Sequence, residues 1–62
     1  MNHNLFYAKQ QLQKLMSEAD QTLRHFNASY ILKVCHDKMN DGLLTKDEYM
    51  EVLVSHRECI NA

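Results

Sequence analysis

An all-α fold is what this sequence predicts, on three observations. There is no proline and a single glycine, Gly42, in a chain well supplied with Leu, Met, Lys, Gln and Glu, so little interrupts helix formation. No stretch alternates apolar and polar residues long enough to make a half-buried strand. Apolar residues recur instead at helical spacing from Asn4 onward. With 62 residues the chain is one small domain, residues 1–62, near the lower limit for folding on its own core. Scaffolds of that size usually draw on disulfides, a metal or a partner subunit. An apolar fraction of 45% separates the chain from disordered sequences. The expected architecture is a long N-terminal helix followed by a helix-turn-helix hairpin, two or three helices in all, completed by oligomerisation.

The first helix is expected from Asn4 to Phe26. Leu5, Leu12, Ala19 and Phe26 recur every seven residues, Ala8 and Leu15 fall between them, and Met16 and Leu23 widen the stripe. Lys9, Gln10, Gln13, Lys14, Asp20, Gln21 and Arg24 make the opposite, solvated face. Such a helix is about 34 Å long at about 1.5 Å per residue, well beyond the mean of about 11–12 residues. Its stripe exceeds what a short hairpin covers, which predicts a neighbour or a second copy along it. Leu5, Leu12, Leu15, Met16 and Leu23 are the candidate contact residues.

Between Phe26 and Tyr30 the seven-residue register stops. Asn27 or Ser29 is a suitable N-cap for a new helix. Alternatively the helix runs on, with Phe26, Tyr30 and Val34 at four-residue steps. The break is the favoured reading and makes three helices, the second from about Ala28 to Met39 with Ile31, Val34 and Cys35 inward. That helix should stop at Asn40-Asp41-Gly42, because Gly42 enters the left-handed region without steric cost. Thr45 then caps a last helix from Lys46 to about Glu58. Glu48 stands at the capping-box position, and Leu44 and Tyr49 sit where a hydrophobic staple forms.

Charge and composition narrow the function. The net charge is −1, which supplies no attraction for nucleic acid or an anionic membrane. Residues 1–36 nevertheless carry a balance of +2 and residues 37–62 a balance of −3, an asymmetry suited to attraction within one chain or between two. No apolar run is long enough to cross a membrane, and the first residues lack the pattern of a signal peptide. With two cysteines and no export signal, a cytoplasmic setting is expected.

Residues 37–48 also resemble an EF-hand loop. Gly42 stands at the turn, Asp37 and Asp41 at the first and fifth ligand positions, Leu44 at the apolar pairing position and Glu48 at the final bidentate carboxylate. The resemblance implies a calcium-binding module. Met39 departs from it, since a thioether replaces the oxygen ligand of the third position. A capped corner explains Gly42, Leu44, Thr45, Glu48 and Tyr49 without an ion. A second resemblance spans residues 32–54, where Asp-Gly-Leu-Leu-Thr-Lys-Asp-Glu-Tyr looks like the SHOCT-type short helical hairpins of bacterial proteins. It implies an interaction or oligomerisation role rather than catalysis.

Other chemistries find less support. Cys35-His36 and His56-x-x-Cys59 have zinc-ligand character, but a hairpin folded at residues 42–44 sets the two pairs at levels differing by about 12 Å. No nucleophile has an evident base beside it, and a small hairpin offers little concavity. A DNA-reading helix at 28–39 would bring only Lys33 and Lys38 to the phosphates. The expectation is therefore no enzyme, no cofactor and no metal. The remaining reading is an accessory or regulatory factor, of the kind bacteria and phages encode, whose partner is another protein, itself as a homodimer, or both.

Overall fold

In a computed structural model the described residues are 2–62, and they form three α-helices. These are α1 (His3–Leu15), α2 (Gln21–Asn40) and α3 (Lys46–Ile60). Each helix packs on the other two, and the molecule measures 34 × 19 × 14 Å along its principal axes. The all-α architecture expected from the sequence is present, with a different division of its first half.

The first correction concerns the long N-terminal helix, which stops at Leu15 instead of continuing to Phe26. Around Met16 the backbone tightens into i→i+3 bonds: Met16 N–H donates to Gln13 O at 3.2 Å, Ser17 to Lys14 O at 3.3 Å and Glu18 to Leu15 O at 3.0 Å. A new helix is then nucleated by side chains. Asp20 Oδ1 accepts from Leu23 N–H at 3.0 Å as an N-cap, and Glu18 Oε1 accepts from Asp20 N–H at 3.0 Å. Capping of this kind outweighs the helix propensity of Glu18 and Ala19.

The seven-residue repeat therefore does not mark one continuous stripe. Leu5 and Leu12 are buried, whereas Ala19 lies exposed in the connection and Phe26 is 72% exposed on α2. The second correction follows: no break occurs near Asn27. Residues 27–29 lie inside α2, with Ala28 fully buried and Ser29 facing solvent. The four-residue steps of Phe26, Tyr30 and Val34 were the better guide there.

The corner between α2 and α3 has the expected form. Gly42 adopts φ +78°, Leu43 N–H donates to Lys38 O at 2.8 Å and Gly42 N–H to Met39 O at 3.1 Å. These two bonds are the Schellman pattern, which satisfies carbonyls that the end of α2 leaves free. Three residues later Thr45 and Glu48 close a capping box. Glu48 N–H donates to Thr45 Oγ1 at 3.1 Å and Thr45 N–H to Glu48 Oε1 at 2.9 Å. Leu44 turns inward and is buried, with Tyr49 packed against the same cluster.

The core runs between the helices as Leu5, Ala8 and Leu12 from α1, Ala28 and Cys35 from α2, Leu44 from the corner, and Val52 and Cys59 from α3. Small residues predominate on α2 and α3, so the helices approach closely and leave little room to relax around a deletion. Side-chain ties hold both ends of the bundle. At the corner end Asn2 Oδ1 caps α1, while Asn2 Nδ2 donates to Leu43 O at 2.9 Å and to Glu48 Oε1 at 3.3 Å. At the far end Arg24 donates from Nη1 to Glu18 O at 2.7 Å and from Nη2 to Ala62 O at 3.1 Å, and His25 Nε2 donates to Ile60 O at 3.0 Å. Among the described residues no helix is long and apolar enough to cross a membrane.

Candidate functional site

A groove between α1 and α2 holds a cavity of about 370 Å³. Tyr7 of α1 and Tyr30 of α2 stand on its rims at 59% and 64% exposure. Its floor comes from Ala8, Ile31 and Cys35, and Val34 and Leu15 extend the apolar lining. The small side chains of Ala8 and Cys35 create the depression, because they bring the helices together below the two tyrosines without filling the space above. One end is fixed by Lys38, whose ammonium donates to Asn4 Oδ1 at 3.0 Å. Among the described residues Lys38 is the one charged side chain in the lining, and no carboxylate enters it.

The five contact residues expected from the sequence separate in the structure. Leu5 and Leu12 lie in the core of the single chain, Leu12 at 1% exposure, so neither offers a surface to a partner. Leu15 is half-buried at the end of the groove, and Met16 and Leu23 are exposed near the connection. The physical reason is the early end of α1: once the chain turns at Met16, α2 and α3 cover Leu5 and Leu12. Phe6 and Tyr7 on α1 and Phe26 and Tyr30 on α2 are also exposed, and of these four only Phe26 belongs to the seven-residue repeat. Neither a protein-family model, nor a curated protein, nor a solved structure matches the chain.

Cys35, in the groove floor, does not have the properties of a nucleophile. Burial pushes its thiol up from the ordinary value, and Lys38 opposes this only in part, so the thiol stays protonated at neutral pH. At the corner, Asp37–Asn40 belong to the last turn of α2, and Asp37 pairs with Lys33 at 3.3 Å. Glu48 commits Oε1 to Thr45 N–H and to Asn2 Nδ2. Among the described residues no three His, Cys, Asp or Glu side chains come together in a way that could hold a metal ion. Cys35 and Cys59 are both free and buried.

The far end of the bundle gathers a different set of groups. Arg24 is buried with its Nε unpartnered, and His56 has a buried Nε2 without a hydrogen-bond partner among the described residues. Burial lowers the His56 pKa below its ordinary value, and the nearby His25 lowers it further. Burial likewise raises the Cys59 thiol, against the pull of Arg24. The fold thus favours neutral His56, so its contribution to stability is full above about pH 6.5 and is lost as pH falls through the depressed folded value. The melting temperature is expected to drop between pH 7.5 and 5.5, and His56→Gln should flatten that dependence. An equally steep drop in the variant would assign the effect to another group.

Proposed function

We propose that this protein acts by binding another polypeptide in the α1/α2 groove, as an accessory or regulatory factor rather than an enzyme. The observation that carries the reading is the pair of exposed tyrosines, Tyr7 and Tyr30, flanking an apolar floor. Rigid aromatic side chains give up little conformational entropy on contact and are enriched where protein interfaces are strongest. Covering them and the floor recovers roughly 25 cal/mol per Å² of apolar surface. A groove between two helices, bordered by a single lysine, suits the apolar side of a helix that carries acids at its edges. Two buried, unpaired thiols accord with a reducing cytoplasm as the place of action.

The test is site-specific cross-linking in the cells that make the protein. A benzophenone amino acid in place of Tyr30 should give, on irradiation, an adduct heavier than the 7.3 kDa chain. The same group at His36, exposed on α2 and outside the groove lining, serves as control. No adduct specific to position 30 would overturn the reading.

A further inference from the structure

We infer that the groove receives a second copy of this chain, through the outer face of that copy's α3, and that the resulting assembly continues beyond two copies. The inference rests on the groove reading above and supplies its occupant. On α3, Asp47, Glu51, Val54 and Glu58 follow one another at steps of four, three and four residues, which places them on one side of the helix. Met50 stands beside that stripe, and Met50 and Val54 are each 53% exposed. The core-facing residues of α3, Val52 and Cys59, lie on the opposite side and are fully buried. The outer face of α3 is therefore an apolar pair bordered by acids, the kind of surface the groove suits.

The groove side carries the complementary charge. Lys38 lines it and Lys14 follows Tyr7 two turns along α1, while Lys33, about one turn beyond Tyr30 on α2, is paired with Asp37 a further turn on. Part of the difference between the basic first half and the acidic second half is met within the molecule, since among the described residues Lys9 and Lys33 each pair with an acid of the second half, while Lys14 does not. Among the described residues, Lys9–Glu51 at 3.4 Å is the ion pair that joins α1 to α3, and Lys33–Asp37 lies within α2. Among the described residues Asp47 and Glu58 have no ion-pair partner, and both are exposed. Opposite charges around apolar centres guide encounter and set register.

Geometry then sets the mode of assembly. In a bundle where each helix packs on the other two, the outer face of α3 lies across the molecule from the α1/α2 groove. A contact between these surfaces is heterologous: after pairing, one copy still offers a free groove and the other a free α3 face. Addition of further copies uses the same contact. Each surface is small, so a single contact falls at or below the standard size of about 800 Å² per partner, and association is expected to be concentration-dependent.

Light scattering and sedimentation of the purified full chain over a range of concentrations test this. At low salt the average mass should rise past twice 7.3 kDa with concentration, and it should fall when salt is added. Tyr30→Asp, which puts an acid in the groove, and Val54→Asp, which puts one at the centre of the α3 face, should each remain helical and monomeric. Mixed together, the two variants should form a 1:1 pair that grows no further, because one supplies an intact α3 face and the other an intact groove. Wild-type mass that stays at 7.3 kDa, or that stops at twice that value with no rescue on mixing, would overturn the inference. An adduct from position 30 to a different protein, with a monomeric wild type, would remove the second copy as occupant and leave the groove reading standing. Absence of any adduct would count against the groove itself.

Discussion

Leu12→Ala is expected to remove about 2–5 kcal/mol of stability, the usual loss when a fully buried leucine is truncated. A domain of this length has only about 3–9 kcal/mol in all, at roughly 0.05–0.15 kcal/mol per residue. The loss is therefore a large share of the total, and the variant should unfold at a markedly lower urea concentration. Leu12 is 1% exposed and packs between α2 and α3, where small neighbours such as Ala28 and Cys59 cannot move in to fill the space. Leu23→Ala is the informative control, because Leu23 belongs to the same predicted stripe but is exposed on α2. It should change stability by less than about 0.5 kcal/mol. Urea unfolding followed by circular dichroism compares the two, and equal losses would contradict the early end of α1.

Arg24→Ala is expected to cost about 3–6 kcal/mol, since its two hydrogen bonds from a charged group are each worth about 1.5–3 kcal/mol net. Arg24 is only 8% exposed, and its guanidinium joins two segments, the Glu18 carbonyl of the connection and the Ala62 main-chain oxygen beyond α3. Truncation leaves the connection without its anchor and opens space beside Cys59. Hydrogen exchange should accelerate first around residues 16–20 and 60–62, while the corner at 42–48 keeps its protection. Uniform acceleration across the chain would mean that Arg24 serves the fold as a whole and not that end of it.

How much of this structure was legible in the sequence depended on how local the signal was. The corner could be read because its instructions lie within a few residues: Gly42 for the left-handed turn, and Thr45 with Glu48 for the capping box. The end of α1 was harder. Ala19 and Phe26 continue the spacing of Leu5 and Leu12, and no proline or glycine interrupts them. What stops the helix is a set of polar contacts spread over residues 13–24, with Asp20 as N-cap and Arg24 donating back to the Glu18 carbonyl. Only Asp20 among these is a sequence-level signal, and one acid within an apolar period is weak against a four-member repeat. The groove was obscured for the same reason. Its rims come from Tyr7 and Tyr30, which face each other only once the chain has turned between them.

The tyrosines have a further, optical consequence. The protein contains no tryptophan, and its near-ultraviolet emission comes from Tyr7, Tyr30 and Tyr49 alone. Two of these border the groove in contact with solvent, and the third is packed at the corner with its ring edge-on to His36 at a centroid distance of 5.6 Å. Two of the three tyrosine emitters therefore stand at the rims. The molecule carries its own reporter of groove occupancy, and exchanging Tyr49 for phenylalanine leaves a signal that comes from the rims only.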